Sequence, residues 1–367
     1  MRLDPDFVRR MAEATALTRA GRLHDAVAML QAALAGARSA TAAGANAPGT
    51  ARAHFVDVVD VEAREVPAGA AGSTPLGDAR AGGSGPSTDT QVSGRFVAGD
   101  FRSASGALGY KLFLPSAHEG AARPLVVMLH GCTQHPDDFA AGTRMNAAAA
   151  ERGLAVLYPA QHEAANPRRC WRWFERAHQR RDAGEPAVLA GMVREVIAHH
   201  DLDPARVYVA GLSAGGAMAA VLGDAYPDLF AAVGVHSGLP AGAAGDVKSG
   251  LVAMRRGAPA ATVRPPRRPT IVFHGDRDAV VHPVNGERLA ALASATVERA
   301  SGHAGRPYTR HVHRDAGGRV VAEHWVVHGG GHAWSGGSPA GSFADPLGPC
   351  ATTEMLRFFA AHRLGDA

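Results

Sequence analysis

The feature that most constrains this chain is a series of short, almost wholly apolar runs alternating with helix-like stretches. The runs are "PLVVMLHG", "LAVLYPA", "VYVAGLS", "AAVGVHSG", "TIVFHGD" and "HWVVHGGGH". Strands this uniformly aliphatic are buried on both faces, and strands of that kind belong to parallel sheets covered by helices. Between them lie "EPAVLAGMVREVIAHH" and "AGGAMAAVLGDAYP", with apolar residues at helical spacing. Ahead of them "GRFVAGDFRS" and "LGYKLFLP" alternate as an antiparallel pair would. The expectation is one α/β domain over residues 94–365, built on a mostly parallel, doubly wound sheet.

The region before it is different in kind. Residues 1–36 read as two amphipathic helices, "PDFVRRMAEATALTRA" and "LHDAVAMLQAALAGA", punctuated by Gly21. They look like one tetratricopeptide-type hairpin, which cannot bury its apolar face alone and must dock on the main domain or on a protein or granule partner. Residues 37–93, dominated by Ala, Gly, Ser, Thr and Pro, read as a flexible, disordered linker.

Composition excludes several classes. With 46% hydrophobic and 20% charged residues, the chain can build an aliphatic core. The net charge of +4 is modest, and no window gathers basic residues interleaved with aromatics, so nucleic-acid binding is not expected. No stretch approaches the roughly 18 uninterrupted apolar residues of a membrane span. The N-terminus "MRLDPDFVRRMAEATALTRAGRLHDAVAML" lacks the apolar core and cleavage site of a signal peptide, so a cytoplasmic location is expected. Cys132, Cys170 and Cys350 are too few for a disulfide framework, although one pair remains open. Nothing has C-x-x-C spacing and the histidines are scattered, so no metal is implied.

Ser213 in "VYVAGLSAGG" carries the chemistry. It follows an apolar strand and precedes a helix, the setting in which a sharp turn thrusts a serine hydroxyl out at the C-terminal edge of a sheet. Gly211 and Gly215 suit such a turn because strand and helix backbones approach closely there. A serine hydroxyl needs a histidine base, itself oriented by a carboxylate, and this fold orders them Ser, acid, base along the chain. Asp276 and Asp278 follow the strand "TIVFHG". Asp278 lies deeper in the loop and is the preferred acid, whereas Asp276 can cap the turn. Among His324, His328 and His332, the last lies beyond a glycine run that lets the chain bend back over the sheet edge. His332 is therefore the preferred base, with His328 the runner-up. His324, His311 and His313 are expected on strand faces with their polar edges satisfied. Two backbone amides must receive the oxyanion. Ala214, after the nucleophile, and Cys132, in the loop after "PLVVMLHG", are the expected donors, and only the amide of Cys132 is used. No cofactor is required.

Together these residues resemble the polyhydroxybutyrate depolymerase family of esterases, whose relatives include feruloyl and acetylxylan esterases. The stretches that carry the resemblance are "LHGCTQHPDDFAAGTRMNAAAAERGLAVLYPAQ", "CWRWF", "DPARVYVAGLSAGGAMAAVLGDAYPDLFAAVGVHSG", "HGDRDAVVHPVNG" and "GGGHAWSGG". The resemblance implies an α/β-hydrolase fold, with Ser213, Asp278 and His332 as the triad and Cys132 as an oxyanion donor. It also implies a substrate contact from Trp171 or Trp173, and it allows a Cys132–Cys170 link, which would not persist in a reducing cytosol. The reading is a serine esterase acting on poly- or oligo-3-hydroxybutyrate esters. The alternatives are a feruloyl, acetylxylan or general short-chain esterase, and a granule- or partner-binding protein tethered by the hairpin. Secreted depolymerases of this type carry a signal peptide, usually with a separate polymer-binding domain. Neither is evident here, which favours soluble oligomers over crystalline polymer and leaves an extracellular location as the alternative.

Overall fold

The computed structural model describes residues 93–116, 122–290 and 305–365, and the backbone of 296–301. The hairpin expected over residues 1–36 and all but the last residue of the linker lie outside the described residues. The chain enters with the antiparallel pair β1 (Gly94–Ser103) and β2 (Gly106–Pro115). The apolar runs then form β3 (Arg123–Leu129), β4 (Ala155–Ala160), β5 (Leu202–Leu212), β6 (Ala232–His236) and β7 (Thr270–Gly275). β8 (Thr296–Ser301) and β9 (Pro307–Arg314) precede β10 (Val320–Val327).

These ten strands form one sheet in the order β1-β2-β4-β3-β5-β6-β7-β10-β9-β8. The block from β4 to β10 is parallel, and each edge is finished by an antiparallel pair. Every residue of β6 and β7 is buried, which explains runs without polar alternation.

Alternate residues of β3 feed two cores. Leu125, Val127 and Leu129 pack with helices α3 (Gly184–His199) and α4 (Ala214–Ala225) on one face. Val126 and Met128 pack on the other with α1 (Pro136–Thr143), α2 (Met145–Ala150) and α7 (Ala351–Ala360). In the second core Phe359 of α7 stacks on Tyr208 of β5, with ring centroids 4.9 Å apart. Truncating a fully buried aliphatic such as Leu129 to alanine is expected to cost about 2–5 kcal/mol.

Strand order reverses at β3, with β4 on one side and β5 on the other. Loops leaving the C-terminal ends of β3 and β5 therefore diverge and open a crevice, the place where sheets of this kind receive ligands. Two further short helices, α5 (Val247–Arg256) and α6 (Val284–Leu289), a single 3-10 turn (Arg176–His178) and the two-residue strands β11 (Trp334–Ser335) and β12 (Ala344–Asp345) complete the described elements. No helix among the described residues is long and apolar enough to cross a membrane.

Candidate active site

Ser213 sits between β5 and α4 with φ 58° and ψ −118°, a backbone conformation that non-glycine residues rarely adopt. Its amide donates to the His236 carbonyl at 2.9 Å, and its own carbonyl accepts from Ala217 N–H at 2.9 Å as the helix begins. The flanking glycines are dictated by close approach. A Cβ on Gly211 would lie 2.4 Å from the Gly215 carbonyl carbon, and one on Gly215 would lie 2.0 Å from the Leu129 oxygen. Helix and strand backbones touch at the turn, and the serine side chain is left half-buried above the crevice.

The loop after β7 delivers Asp278, whose side chain is fully buried. Its Oδ1 accepts the amides of Val280 and Val281 at 2.9 and 2.8 Å, and its Oδ2 accepts from His332 Nδ1 at 2.8 Å. A second ring, His274, places Nε2 at 3.4 Å from the same oxygen while donating to the Val281 carbonyl at 2.8 Å. Burial works to raise the pKa of Asp278, but the hydrogen bonds from His274, His332 and the Val281 amide outweigh it. The carboxyl is held far below the usual range and is an anion at neutral pH. With Nδ1–H committed to Asp278, His332 presents Nε2 as an acceptor toward the cavity it lines together with Ser213.

The neighbouring acid and histidine make a separate pair. Asp276 accepts from His328 Nδ1 at 2.9 Å and from the Gly329 amide at 2.7 Å, in a more exposed position. Thus the two aspartates and two histidines weighed in the sequence are sorted as Asp278 with His332 and Asp276 with His328. His324 corrects an expectation: it is buried on β10, yet its Nε2 has no hydrogen-bond partner. That nitrogen lies where Gly286 closes in, since a Cβ there would stand 2.9 Å from it and 2.9 Å from His274 Nδ1. Burial, with His274, His311 and His313 adding repulsion, lowers its pKa to about 3, so it stays neutral.

The loop after β3 uses its amides selectively. Gly131 N–H donates to Gln134 Oε1 at 2.9 Å, Thr133 N–H to the Arg168 carbonyl at 2.6 Å, and Gln134 N–H to the Gly131 carbonyl at 3.3 Å. The amides of Cys132 and Ala214 are engaged by none of the hydrogen bonds among the described residues, and both residues line the cavity. Gln134 Nε2 reaches Asp138 Oδ2 at 3.0 Å and the Ser342 carbonyl at 3.1 Å, which fixes the loop from its far side. Cys132 is joined to Cys170 by a disulfide, so its sulfur is bonded rather than a free thiol.

The disulfide brings the "CWRWF" segment against the crevice and separates its two tryptophans. Trp171 is fully buried and donates Nε1–H to the His130 carbonyl at 3.0 Å; it does not line the cavity, so its expected substrate contact is corrected to packing beneath the loop. Trp173 lines the cavity beside Phe174, ring edge to ring face at 5.6 Å. The cavity holds about 480 Å³ and is walled largely by apolar side chains, among them Leu239, Leu251, Met254 and Phe343.

Sequence reasoning missed two residues that shape the site, His236 and His274. His236 Nε2 accepts the Ser335 amide at 2.9 Å, three residues beyond His332, and its ring stacks on Trp334 at 5.1 Å. Burial pushes its pKa down to about 3, which keeps it neutral and able to accept. The available signal was a histidine ending an otherwise apolar strand at the C-terminal sheet edge, as in "AVGVH" and "TIVFHG".

The model of the family described as esterase PHB depolymerase matches residues 108–303. Poly(3-hydroxyalkanoate) depolymerase C of Paucimonas lemoignei is 32% identical over 236 residues, covering 58% of this chain and 55% of that protein. Feruloyl esterase B of Neurospora crassa is 34% identical over 121 residues, covering 32% of this chain and 40% of that protein. This chain thus spans about half or less of the length of these curated relatives. Among solved structures, an acetyl xylan esterase from Aspergillus awamori superposes with a TM-score of 0.55 at 18% identity, over 69% of this chain and 94% of that one. That likeness speaks for the fold, which is the α/β-hydrolase fold.

Proposed function

This chain belongs to the PHB depolymerase family of esterases, and from that premise we propose that it is a carboxylic ester hydrolase that cleaves short-chain hydroxyalkanoate esters through Ser213, His332 and Asp278. In this reading His332 Nε2 takes the proton of Ser213 as Oγ attacks the ester carbonyl. The amides of Cys132 and Ala214 receive the negative oxygen of the tetrahedral intermediate. As the acyl–oxygen bond breaks, His332 returns the proton to the leaving alcohol. Water then repeats the sequence on the acyl-enzyme, with Asp278 holding the imidazole and stabilising its charged form.

One observation carries this reading: the 2.8 Å bond from His332 to a buried, anionic Asp278, in a cavity shared with a serine on a strained elbow. The apolar walls suit a methyl-branched aliphatic ester. Feruloyl esters are the second reading, because Trp173, Phe174 and Phe343 give the cavity aromatic walls. The Cys132–Cys170 disulfide favours an oxidising setting over a cytoplasmic one.

The test is hydrolysis of p-nitrophenyl acetate, butyrate and octanoate, 3-hydroxybutyrate oligomers and methyl ferulate by the wild type and Ser213→Ala. The variant should lose at least about a thousandfold on every substrate the wild type cleaves. Equal rates for the two proteins would remove Ser213 from the mechanism. Faster turnover of ferulate than of the oligomers would move the substrate class to the second reading.

A further inference from the structure

The cavity is nearly uncharged, and its one exception is informative. Arg168 is the sole Lys, Arg, Asp or Glu among the described residues that line it. The other arginines of the same segment are occupied: Arg169 pairs with Glu163 at 2.5 Å and Arg172 with Glu175 at 2.9 Å. No carboxylate among the described residues lies within ion-pair distance of the exposed Arg168 guanidinium.

The backbone that carries Arg168 is tightly held. Its carbonyl accepts the Thr133 amide at 2.6 Å, its own amide donates to Asn166 Oδ1 at 2.9 Å, and the disulfide to Cys132 lies two residues on. An unpaired guanidinium is therefore rooted beside the loop expected to bind the oxyanion, at the edge of apolar walls. A planar guanidinium recognises a carboxylate through two parallel hydrogen bonds.

We propose that Arg168 receives the free carboxylate at the acid end of a hydroxyacid oligomer, so that the enzyme releases units from that end. This rests on the hydroxyalkanoate reading and narrows it. In such an oligomer the free carboxylate belongs to the leaving alcohol. Ser213 attacks the adjoining carbonyl, the acyl–oxygen bond breaks, and the hydroxyacid takes a proton from His332 and departs with its carboxylate. Water then frees the shortened acid from the serine. Interior esters of a long polymer offer Arg168 no charge, so they gain nothing from it.

The experiment compares the 3-hydroxybutyrate dimer with its N-methylamide, which has the same single ester and no negative charge. For the wild type, kcat/KM should favour the acid by roughly three- to tenfold, mainly through KM, and added sodium chloride should shrink the ratio. In Arg168→Gln the ratio should fall to about one, and Arg168→Lys should restore part of it, keeping the charge without the fork. The ratio is read within each protein, so a general loss of activity in a variant does not mimic the effect. Equal rates on acid and amide in the wild type, or an undiminished preference in Arg168→Gln, overturn the role of Arg168 and leave the hydroxyalkanoate reading standing. Cleavage of p-nitrophenyl butyrate with no turnover of either dimer overturns both.

Discussion

Acid should unfold this domain well before its carboxylates protonate, because four histidines are buried in neutral form. Burial is the main cause in each case, lowering His130 and His362 to a pKa of about 4 and His236 and His324 to about 3. The unfolded chain binds protons on the same rings near the ordinary value of about 6.5. Below that pH the unfolded state holds more protons than the native state, so stability falls as pH drops and keeps falling until the native values are reached. At about pH 5 each ring then costs about 2 kcal/mol relative to neutral pH, and the four together about 8 kcal/mol. That is comparable with the whole stability of many domains, about 5–15 kcal/mol. Asp278 and Glu323, whose pKa values are lowered despite burial, contribute stability that is lost only at still lower pH. Urea unfolding followed by tryptophan fluorescence between about pH 7.5 and 5 measures the effect. His324→Leu removes one titrating ring and one buried nitrogen without a partner, so its loss over that range should shrink to about 6 kcal/mol. A wild-type loss under about 2 kcal/mol, or an undiminished loss in His324→Leu, would refute the reasoning.

Asp278→Asn keeps the shape of the acid but removes the charge that fixes the His332 tautomer, and it should lower kcat by on the order of ten-thousandfold with little change in KM, read in initial rates on p-nitrophenyl butyrate. Reducing the Cys132–Cys170 bond opens a loop closed over a sequence separation of 38 residues. Loop entropy of that length corresponds to about 4 kcal/mol, so dithiothreitol should lower the urea midpoint accordingly, and an unmoved midpoint would show that packing of Trp171 alone holds the segment.

Much of this site is legible in the sequence because its signals are local. The apolar runs became strands buried on both faces, and the glycines around Ser213 mark a backbone approach so close that a Cβ on Gly215 would lie 2.0 Å from the Leu129 oxygen. Strand β8, "TVERAS", has no apolar run to announce it, since an edge strand is held by backbone pairing with β9. The two tryptophans of "CWRWF" look alike in sequence. Which one faces the cavity is set by distant partners, the His130 carbonyl that takes Trp171 and the disulfide that swings the segment. The lone charge of Arg168 is hidden too, because "EAANPRRCWRWFE" holds three arginines and two glutamates, and only the fold shows that Glu163 takes Arg169 and Glu175 takes Arg172.

The least legible parts of the site are also those that brace it, and their chemistry connects catalysis to acid lability. A serine at φ 58° persists only where surrounding structure over-determines it. His236 supplies part of that constraint: its carbonyl holds the Ser213 amide, while its neutral Nε2 holds Ser335 and so steadies the loop carrying His332. A protonated His236 has no acceptor left for Ser335 and introduces a charge among Phe273 and Trp334, on which its ring stacks. The proton that favours the unfolded chain therefore also severs the tie between β6, which holds the Ser213 amide, and the loop bearing His332. Burial of this ring joins the two halves of the site, and the cost of that burial is borne at low pH.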